Sequence, residues 1–84
     1  MDNLAIIKME DESPLNVGIR KSLGRKVRRY RTECGMTLQD LADRCGVFRT
    51  YLSRIESGNA NPTIAVLAAL ALILNVSIVE LFED

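Results

Sequence analysis

The sequence predicts an all-α domain of five helices, and three observations support this prediction. Hydrophobic residues make up 48% of the 84-residue chain and aromatic residues only 5%, which indicates a helical core of Leu, Ile, Val and Ala. Apolar residues recur at spacings of three and four along the first long segment. The stretch 35–62 then has the order helix, tight turn, helix. No strand is required in the core, and the length limits the chain to one small domain.

Residues 1–13 are expected to form an arm that precedes the helical domain 14–84. Apolar residues in the segment Leu4–Met9 come before the acidic run Glu10–Glu12. A flexible arm, a short strand and a flap over apolar surface all fit this composition, and the sequence does not decide among them. Pro14 marks the boundary, because proline suits the first turn of a helix.

The first helix is predicted to run from about Leu15 or Ile19 to Cys34. Gly18 and Gly24 should weaken its early turns, because glycine has a low helix propensity. The basic residues lie mostly on its outward faces. Its buried stripe is expected to comprise Leu23, Val27, Tyr30 and Cys34.

The second and third helices form the predicted helix-turn-helix. Thr37 is expected to cap the second helix, and Asp40 three residues later completes an approximate capping box. Gly46 ends this helix in a left-handed or tight conformation. The third helix is predicted from about Phe48 to Glu56. Its inward positions are Leu52 and Ile55.

One face of the third helix carries side chains suited to DNA. Residues at i, i+1, i+4 and i+5 of a helix form one contiguous face, and here they are Arg49, Thr50, Ser53 and Arg54. An arginine can bond O6 and N7 of a guanine together, and short hydroxyl side chains contact bases or phosphates. These four residues are therefore the predicted base contacts, with the two arginines the strongest candidates.

Two further helices are predicted after a loop rich in Gly and Asn. The loop, Ser57–Asn61, either places backbone amides against phosphate or merely connects two helices. The fourth helix is expected from about Thr63 to Leu74, and Asn75 can end it because asparagine tolerates a left-handed cap. Ser77 can cap a short fifth helix over residues 78–82.

The net charge is zero, but the charge is unevenly distributed along the chain. Residues 20–54 hold ten Lys and Arg against three acidic residues, which gives this region a charge of +7. Residues 1–19 carry −3 and residues 55–84 carry −4. This basic region around the third helix favours a polyanionic partner, because the local field matters more than the sum of charges.

Several positions of the chain keep a fixed spacing, namely Thr37, Leu41-Ala42, Gly46, Ile55-Glu56, Gly58 and Pro62-Thr63. Together they resemble the signature of the phage-repressor/Cro (XRE) family of helix-turn-helix regulators. The resemblance covers roughly residues 22–82. It implies a compact lambda-repressor-like fold and sequence-specific DNA binding, with no cofactor. The run Arg49–Ser53 also resembles the controller proteins of restriction–modification systems.

The resemblance also implies roles for individual residues. In the family, an arginine matching Arg31 pairs with the glutamate that ends the third helix, here Glu56, and ties the first helix to the third. Phe48 stands where the family often has a polar residue, and it could contact a thymine methyl group or simply pack. Leu38 replaces a phosphate-binding glutamine. The expected contacts to the DNA backbone are Gln39, Phe48, Tyr51, Arg28 and Asn59.

The fourth helix departs from the family because it is apolar on every side. Such a helix must be covered on every side. Leu67, Leu70 and Leu74 can face the domain's own core. A symmetric homodimer is expected to cover the rest, with the arm Leu4–Met9 as the alternative cover. The predicted dimer interface comprises Ala65, Val66, Ala69, Leu72, Ile73 and Val79.

The sequence therefore predicts a dimeric regulator of transcription that binds a pseudo-palindromic operator. The protein is expected in the cytoplasm, associated with the nucleoid. Two reading helices related by a twofold axis would engage half-sites about 34 Å apart. Repression by blocking RNA polymerase is the simplest mechanism, and activation through an acidic patch that contacts polymerase is the alternative. The rival class is a protein-interaction module or an antitoxin-like adaptor with the same fold.

Catalysis, metal binding and membrane insertion are not predicted. The chain has no histidine, no nucleophile–base constellation and no metal-ligand spacing. Cys34 and Cys45 are expected to be reduced core residues of a cytosolic protein. The apolar run 64–74 is too short to span a bilayer, which needs roughly 20 residues. The start of the chain lacks the basic residues of a secretory signal peptide.

Overall fold

The computed structural model describes residues 14–83, and these form four α-helices followed by one 3₁₀ turn. No strand occurs within this range, so the prediction of an all-α domain is confirmed for the part of the chain described. The predicted arm, residues 1–13, lies outside it. The elements are α1 (Pro14–Glu33), α2 (Leu38–Cys45), α3 (Arg49–Glu56), α4 (Ile64–Leu74) and the 3₁₀ turn (Val79–Leu81).

Local capping fixes the ends of α2 as the sequence predicted. The Thr37 hydroxyl accepts the Asp40 backbone N–H at 3.0 Å, and the Asp40 carboxylate accepts the Thr37 backbone N–H at 3.0 Å. Hydrogen bonding to the Thr37 backbone N–H and to the Thr37 side chain lowers the pKa of the Asp40 carboxyl below its ordinary value, and the backbone N–H lowers it more. Gly46 ends the helix at φ 73°, in the left-handed region that favours glycine.

The ends of α4 also follow the predicted residues. The Thr63 hydroxyl accepts the Val66 backbone N–H at 3.2 Å, and Asn75 closes the helix at φ 61°. None of the helices in residues 14–83 is long and apolar enough to cross a membrane.

The predicted fifth helix is only a single 3₁₀ turn, so the expected count of five helices is not reached. Ser77 and Glu80 cap each other, with Ser77 N–H to the Glu80 carboxylate at 2.7 Å and Glu80 N–H to the Ser77 hydroxyl at 3.1 Å. The next amides bond three residues back, Leu81 N–H to the Ile78 carbonyl at 3.0 Å among them. A segment this short forms too few i→i−4 bonds to offset the ordering of its backbone.

The hydrophobic core draws on every element. Leu67, Leu70 and Leu74 of α4 are buried as the sequence predicted. The largest side chains with almost no exposed surface are Leu41, Leu52, Ile55, Leu70, Leu81 and Val27.

Gly24 is where α1 crosses the end of α3. A Cβ atom at this position would lie 2.5 Å from the Ile55 carbonyl oxygen and would also overlap the Glu56 carbonyl. Glycine is therefore required by the close approach of two helices. The interpretation of Gly24 as a weak point of α1 missed this role, because the contact joins residues that are far apart in sequence.

Burial corrects two expectations about the first helix. Cys34 lies beyond the end of α1 and is exposed, so it is not part of the buried stripe. The chain turns at Gly35, whose φ is 73°, and Met36 takes the buried position instead. Cys45 is half-buried, and burial raises the pKa of its thiol. Lys26, expected among the outward residues, is buried.

Candidate nucleic-acid interface

The outward face of α3 carries the four residues predicted to contact bases. Leu52 and Ile55 are buried and turn this short helix inward. The opposite side is polar, because the 3.6-residue period of the helix places the polar residues on the other side from these two positions. All four predicted base contacts are exposed on that side, namely Arg49, Thr50, Ser53 and Arg54.

A buried ion pair holds α3 against α1. The guanidinium of Arg31 donates two bonds to the Glu56 carboxylate, at 2.7 Å and 3.0 Å, and a third to the Met36 carbonyl at 3.0 Å. The two side chains are only 12% and 8% exposed. The hydrogen bond to Glu56 raises the pKa of Arg31. The bidentate geometry fixes the rotation of α3 about its axis as well as its distance from α1.

The first turn of α3 lacks the cap that the neighbouring helices have. Thr37 and Thr63 each accept a backbone N–H through a side-chain hydroxyl, whereas Phe48, the N-cap of α3, makes no such bond. The Phe48 side chain is also 83% exposed. Among the described residues 14–83, Phe48 therefore does not pack against the core.

A groove of about 510 Å³ runs between α2 and the start of α3. On the α2 side, the Gln39 amide donates to the Asp43 carboxylate at 2.8 Å. On the α3 side lie Phe48 and the exposed residues Arg49 and Thr50. The groove thus places Gln39, a predicted phosphate contact, beside Arg49 and Thr50, which are predicted base contacts.

Arg54 reaches away from that groove toward the loop after α3. One Nη of Arg54 donates to the Asn59 carbonyl at 3.0 Å, and the Asn59 side-chain amide donates to the Ser57 hydroxyl at 3.0 Å. The structure therefore groups Arg54 with Asn59 at the end of α3, whereas Arg49 lies beside Thr50 in the first turn. Sequence spacing placed the two arginines on one face but could not show this separation along it.

The other predicted backbone contacts lie on three different elements. Arg28 is exposed on α1, and Tyr51 is half-buried against the core on α3. Leu38, at the position where the family has glutamine, also packs against the core. No phosphate contact through its side chain is therefore available at this position.

The outward side of α4 and of the following turn is apolar. Leu72 is 78% exposed and Val79 61% exposed, and Ala65 is exposed as well. Val66, Ala69 and Ile73 of the predicted dimer interface are half-buried. Ile64, at 73% exposure, was missed in the sequence analysis, although its spacing of eight residues from Leu72 places both on one side of the helix.

A second basic surface lies on α1, whose basic residues the sequence placed mostly on the outward faces. A groove of about 380 Å³ is lined by Ser22, Arg25, Lys26 and Arg29. These residues follow at i, i+3, i+4 and i+7, the spacing of one helix face, so the sequence contained the signal. The Nε atom of Arg29 also lies 3.8 Å from a carboxylate oxygen of Glu33, and its Cζ atom lies 5.0 Å from the centre of the Tyr30 ring.

Comparison with known proteins begins with a family model described as helix-turn-helix, which matches residues 27–81. The HTH-type transcriptional regulator SinR of Bacillus subtilis is 36% identical over 63 residues. That match covers 74% of this chain and 57% of SinR, so the chain spans little more than half the length of this relative. The control protein C.SmaI of Serratia marcescens is 33% identical over 73 residues, 87% of each chain.

Solved structures give the same picture. SinR in complex with DNA superposes with a TM-score of 0.69 at 37% identity, covering 73% of this chain and 98% of that one. The restriction-modification controller protein C.AhdI from Aeromonas hydrophila superposes with a TM-score of 0.71 at 31% identity, covering 74% of this chain and 94% of that one.

Proposed function

The chain belongs to the helix-turn-helix family, and from this premise we propose that it is a sequence-specific DNA-binding regulator of transcription that acts as a homodimer. The single observation that carries the proposal is the polar outward face of α3. It lies in the region of charge +7 and is held in place by the buried Arg31–Glu56 pair. A rigidly held helix with exposed arginines is how such domains read the major groove.

The proposed base contacts are graded along α3. Residues near the start of a recognition helix contact base edges, so Arg49 and Thr50 are the principal readers. Ser53, one turn later, is within reach of a base edge or the backbone. Arg54 shares its guanidinium with the Asn59 carbonyl and therefore suits a phosphate beside the loop.

The proposed backbone contacts surround this reading face. Gln39 on α2 lines the groove, and the half-buried Tyr51 offers its hydroxyl from α3. Arg28 and Asn59 extend the proposed contact to α1 and the loop. Each phosphate neutralised by a basic residue releases counterions, so the affinity should fall steeply with salt.

The apolar outward side of α4 supports the dimer. Leu72, Val79 and Ile64 are more than 60% exposed, which in a monomer leaves large apolar side chains in water. A second copy packed on the same surface buries them symmetrically, and small Ala65 and Ala69 allow close approach. The twofold axis would present two α3 helices to half-sites about 34 Å apart.

The likeness to two control proteins of restriction–modification systems supports a narrower version, in which the regulated genes belong to such a system. The likeness to SinR supports a general regulator. Both versions share the proposed operator and homodimer, and in both the regulator acts through RNA polymerase. Repression follows where the operator overlaps the promoter, and activation where the bound dimer touches polymerase.

The test is selection of bound sequences from a pool of random DNA duplexes at several salt concentrations. We expect a pseudo-palindrome with half-sites one turn apart. Arg49→Ala should weaken binding about tenfold to hundredfold for each half-site, from the loss of a bidentate base contact. Arg54→Ala should weaken binding with less change in sequence preference.

Arg25→Ala is the matched control, since it removes an equal charge from an exposed site on the outward side of α1. It should leave the selected sequence unchanged. Selection that enriches no sequence would contradict the proposal. It would favour the alternative of a protein-interaction module or antitoxin-like adaptor whose partner binds α4.

A further inference from the structure

Phe48 is an anomaly that the packing of the domain does not explain. Its ring is 83% exposed, and it occupies the N-cap of α3 without bonding a backbone amide. Serine, threonine, aspartate and asparagine are the residues that stabilise this position. The caps of α2 and α4, Thr37 and Thr63, follow that preference. Phenylalanine at this position therefore stabilises neither the helix nor the core.

The surroundings of Phe48 match one feature of the DNA major groove. The ring borders the groove between α2 and α3 together with Val47, Gly46 and the methyl-bearing Thr50. Immediately beside it stands Arg49, the leading candidate for a guanine contact. The start of α3 thus presents an apolar patch next to a guanidinium.

We propose that Phe48 reads the 5-methyl group of a thymine adjacent to the base that Arg49 contacts. This inference rests on the proposed function. The thymine methyl is the apolar group that base pairs display in the major groove, and phenylalanine contacts it favourably. Contact with DNA would also cover a ring that is otherwise left in water. Phe48 is then a specificity-determining residue rather than a backbone contact.

The experiment uses the full chain and the operator obtained by selection. Each thymine is replaced in turn by deoxyuridine, which removes only the 5-methyl group, and the dissociation constant is measured. Burial of one methyl group predicts about fourfold weaker binding at one thymine of each half-site, and about fifteenfold when both are replaced. The other thymines should show no such loss.

Two variants assign the effect to Phe48. Phe48→Ser should bind the thymine and deoxyuridine operators equally, because its short polar side chain cannot cover a methyl group. Phe48→Leu should retain most of the preference for thymine. Circular dichroism establishes that both variants fold, and the measurement on the unmodified protein stands even where a variant does not.

Three outcomes overturn the inference. The unmodified protein could bind all deoxyuridine operators as well as the thymine operator, or the selected operator could contain no thymine next to the Arg49 contact. The preference for thymine could also persist in Phe48→Ser, which would assign it to Thr50. An enriched operator in any of these cases leaves the proposed function intact, whereas failure to enrich any sequence overturns both.

Discussion

The two short helices α3 and α4 are built alike on their inner sides and oppositely on their outer sides. The buried residues on the inner side of α3 are Leu52 and Ile55, and those of α4 include Leu67, Leu70 and Leu74. Outward, α3 shows two arginines and two hydroxyl residues, whereas α4 shows only apolar side chains. The inner sides determine the fold, whereas the outer sides suit different partners. The outer side of α3 suits a polyanion, and that of α4 suits an apolar surface.

The two helices also differ in how they are held. Only α3 is tied to α1 by a charged pair, between Arg31 and Glu56, in addition to its apolar contacts. A bidentate pair between a guanidinium and a carboxylate requires a particular distance and direction between the two groups, while apolar contacts tolerate small shifts. The stricter device suits the proposed role of α3, in which the helix has to match the spacing of base pairs.

The largest expected effect comes from breaking that tie. Glu56→Ala leaves the Arg31 guanidinium buried without its carboxylate, which should cost about 3–5 kcal/mol in the free energy of unfolding. Denaturant titration measures this loss. The matched control is Glu33→Ala, which removes an exposed pair with Arg29 and should cost about 1 kcal/mol or less. Equal losses in the two variants would show that α3 is not held by charge.

A charge on the outer side of α4 should have the next largest effect. Leu72→Glu removes two buried leucines from a symmetric dimer, each contributing about 1.5–3 kcal/mol, so the dimer dissociation constant should rise more than a hundredfold. Analytical ultracentrifugation without DNA measures this. Gln39→Glu, on the exposed side of α2, introduces a negative charge elsewhere and should leave the dimer unchanged. A monomeric unmodified protein would contradict the homodimer.

Restoring a cap to α3 should have a smaller effect, in the direction of greater stability. Phe48→Ser supplies a hydroxyl that can accept an amide of the first turn, which should add about 1 kcal/mol to the free energy of unfolding. Phe48→Ala, which cannot accept a hydrogen bond, should gain less. Thermal or denaturant unfolding compares the two, and a destabilised Phe48→Ser would reveal a packing role that the 83% exposure of the ring does not show.

The smallest expected effect is the pH dependence of the α2 cap. The pKa of Asp40 is lowered below its ordinary value of 3.8 in the folded chain. Asp40 therefore stabilises the fold above the unfolded-state pKa, and this stabilisation is lost as the pH falls through the folded-state pKa. The difference in unfolding free energy between the unmodified chain and Asp40→Ala should be largest near neutral pH and shrink below about pH 4. A difference that stays constant down to pH 2 would contradict this role.

Features that depend on a few neighbouring residues could be predicted from the sequence. The Thr37–Asp40 box, the left-handed Gly46 and the left-handed Asn75 each involve residues within one or two turns. The exposed face of α3 follows from helical periodicity alone. Such patterns are readable because the chain itself sets the distances between the interacting groups.

Features that depend on distant residues or on the conformation of a loop could not be predicted from these rules. Gly24 is required only because α1 crosses the last carbonyls of α3, and Arg54 turns aside because the loop places the Asn59 carbonyl within reach. The exposure of Cys34 depends on where the chain turns. The Arg31–Glu56 contact was expected only because the family resemblance supplied it.

The two ends of α3 differ in the contacts that hold them, and from this difference we infer a gradient of stiffness along the helix. Its last turn is clamped by Gly24 against the Glu56 carbonyl and by Arg31 against the Glu56 side chain. Its first turn begins at Phe48, with no side-chain cap. We expect the end that carries Arg49 to adjust to the shape of a bound surface more readily than the end held at Glu56.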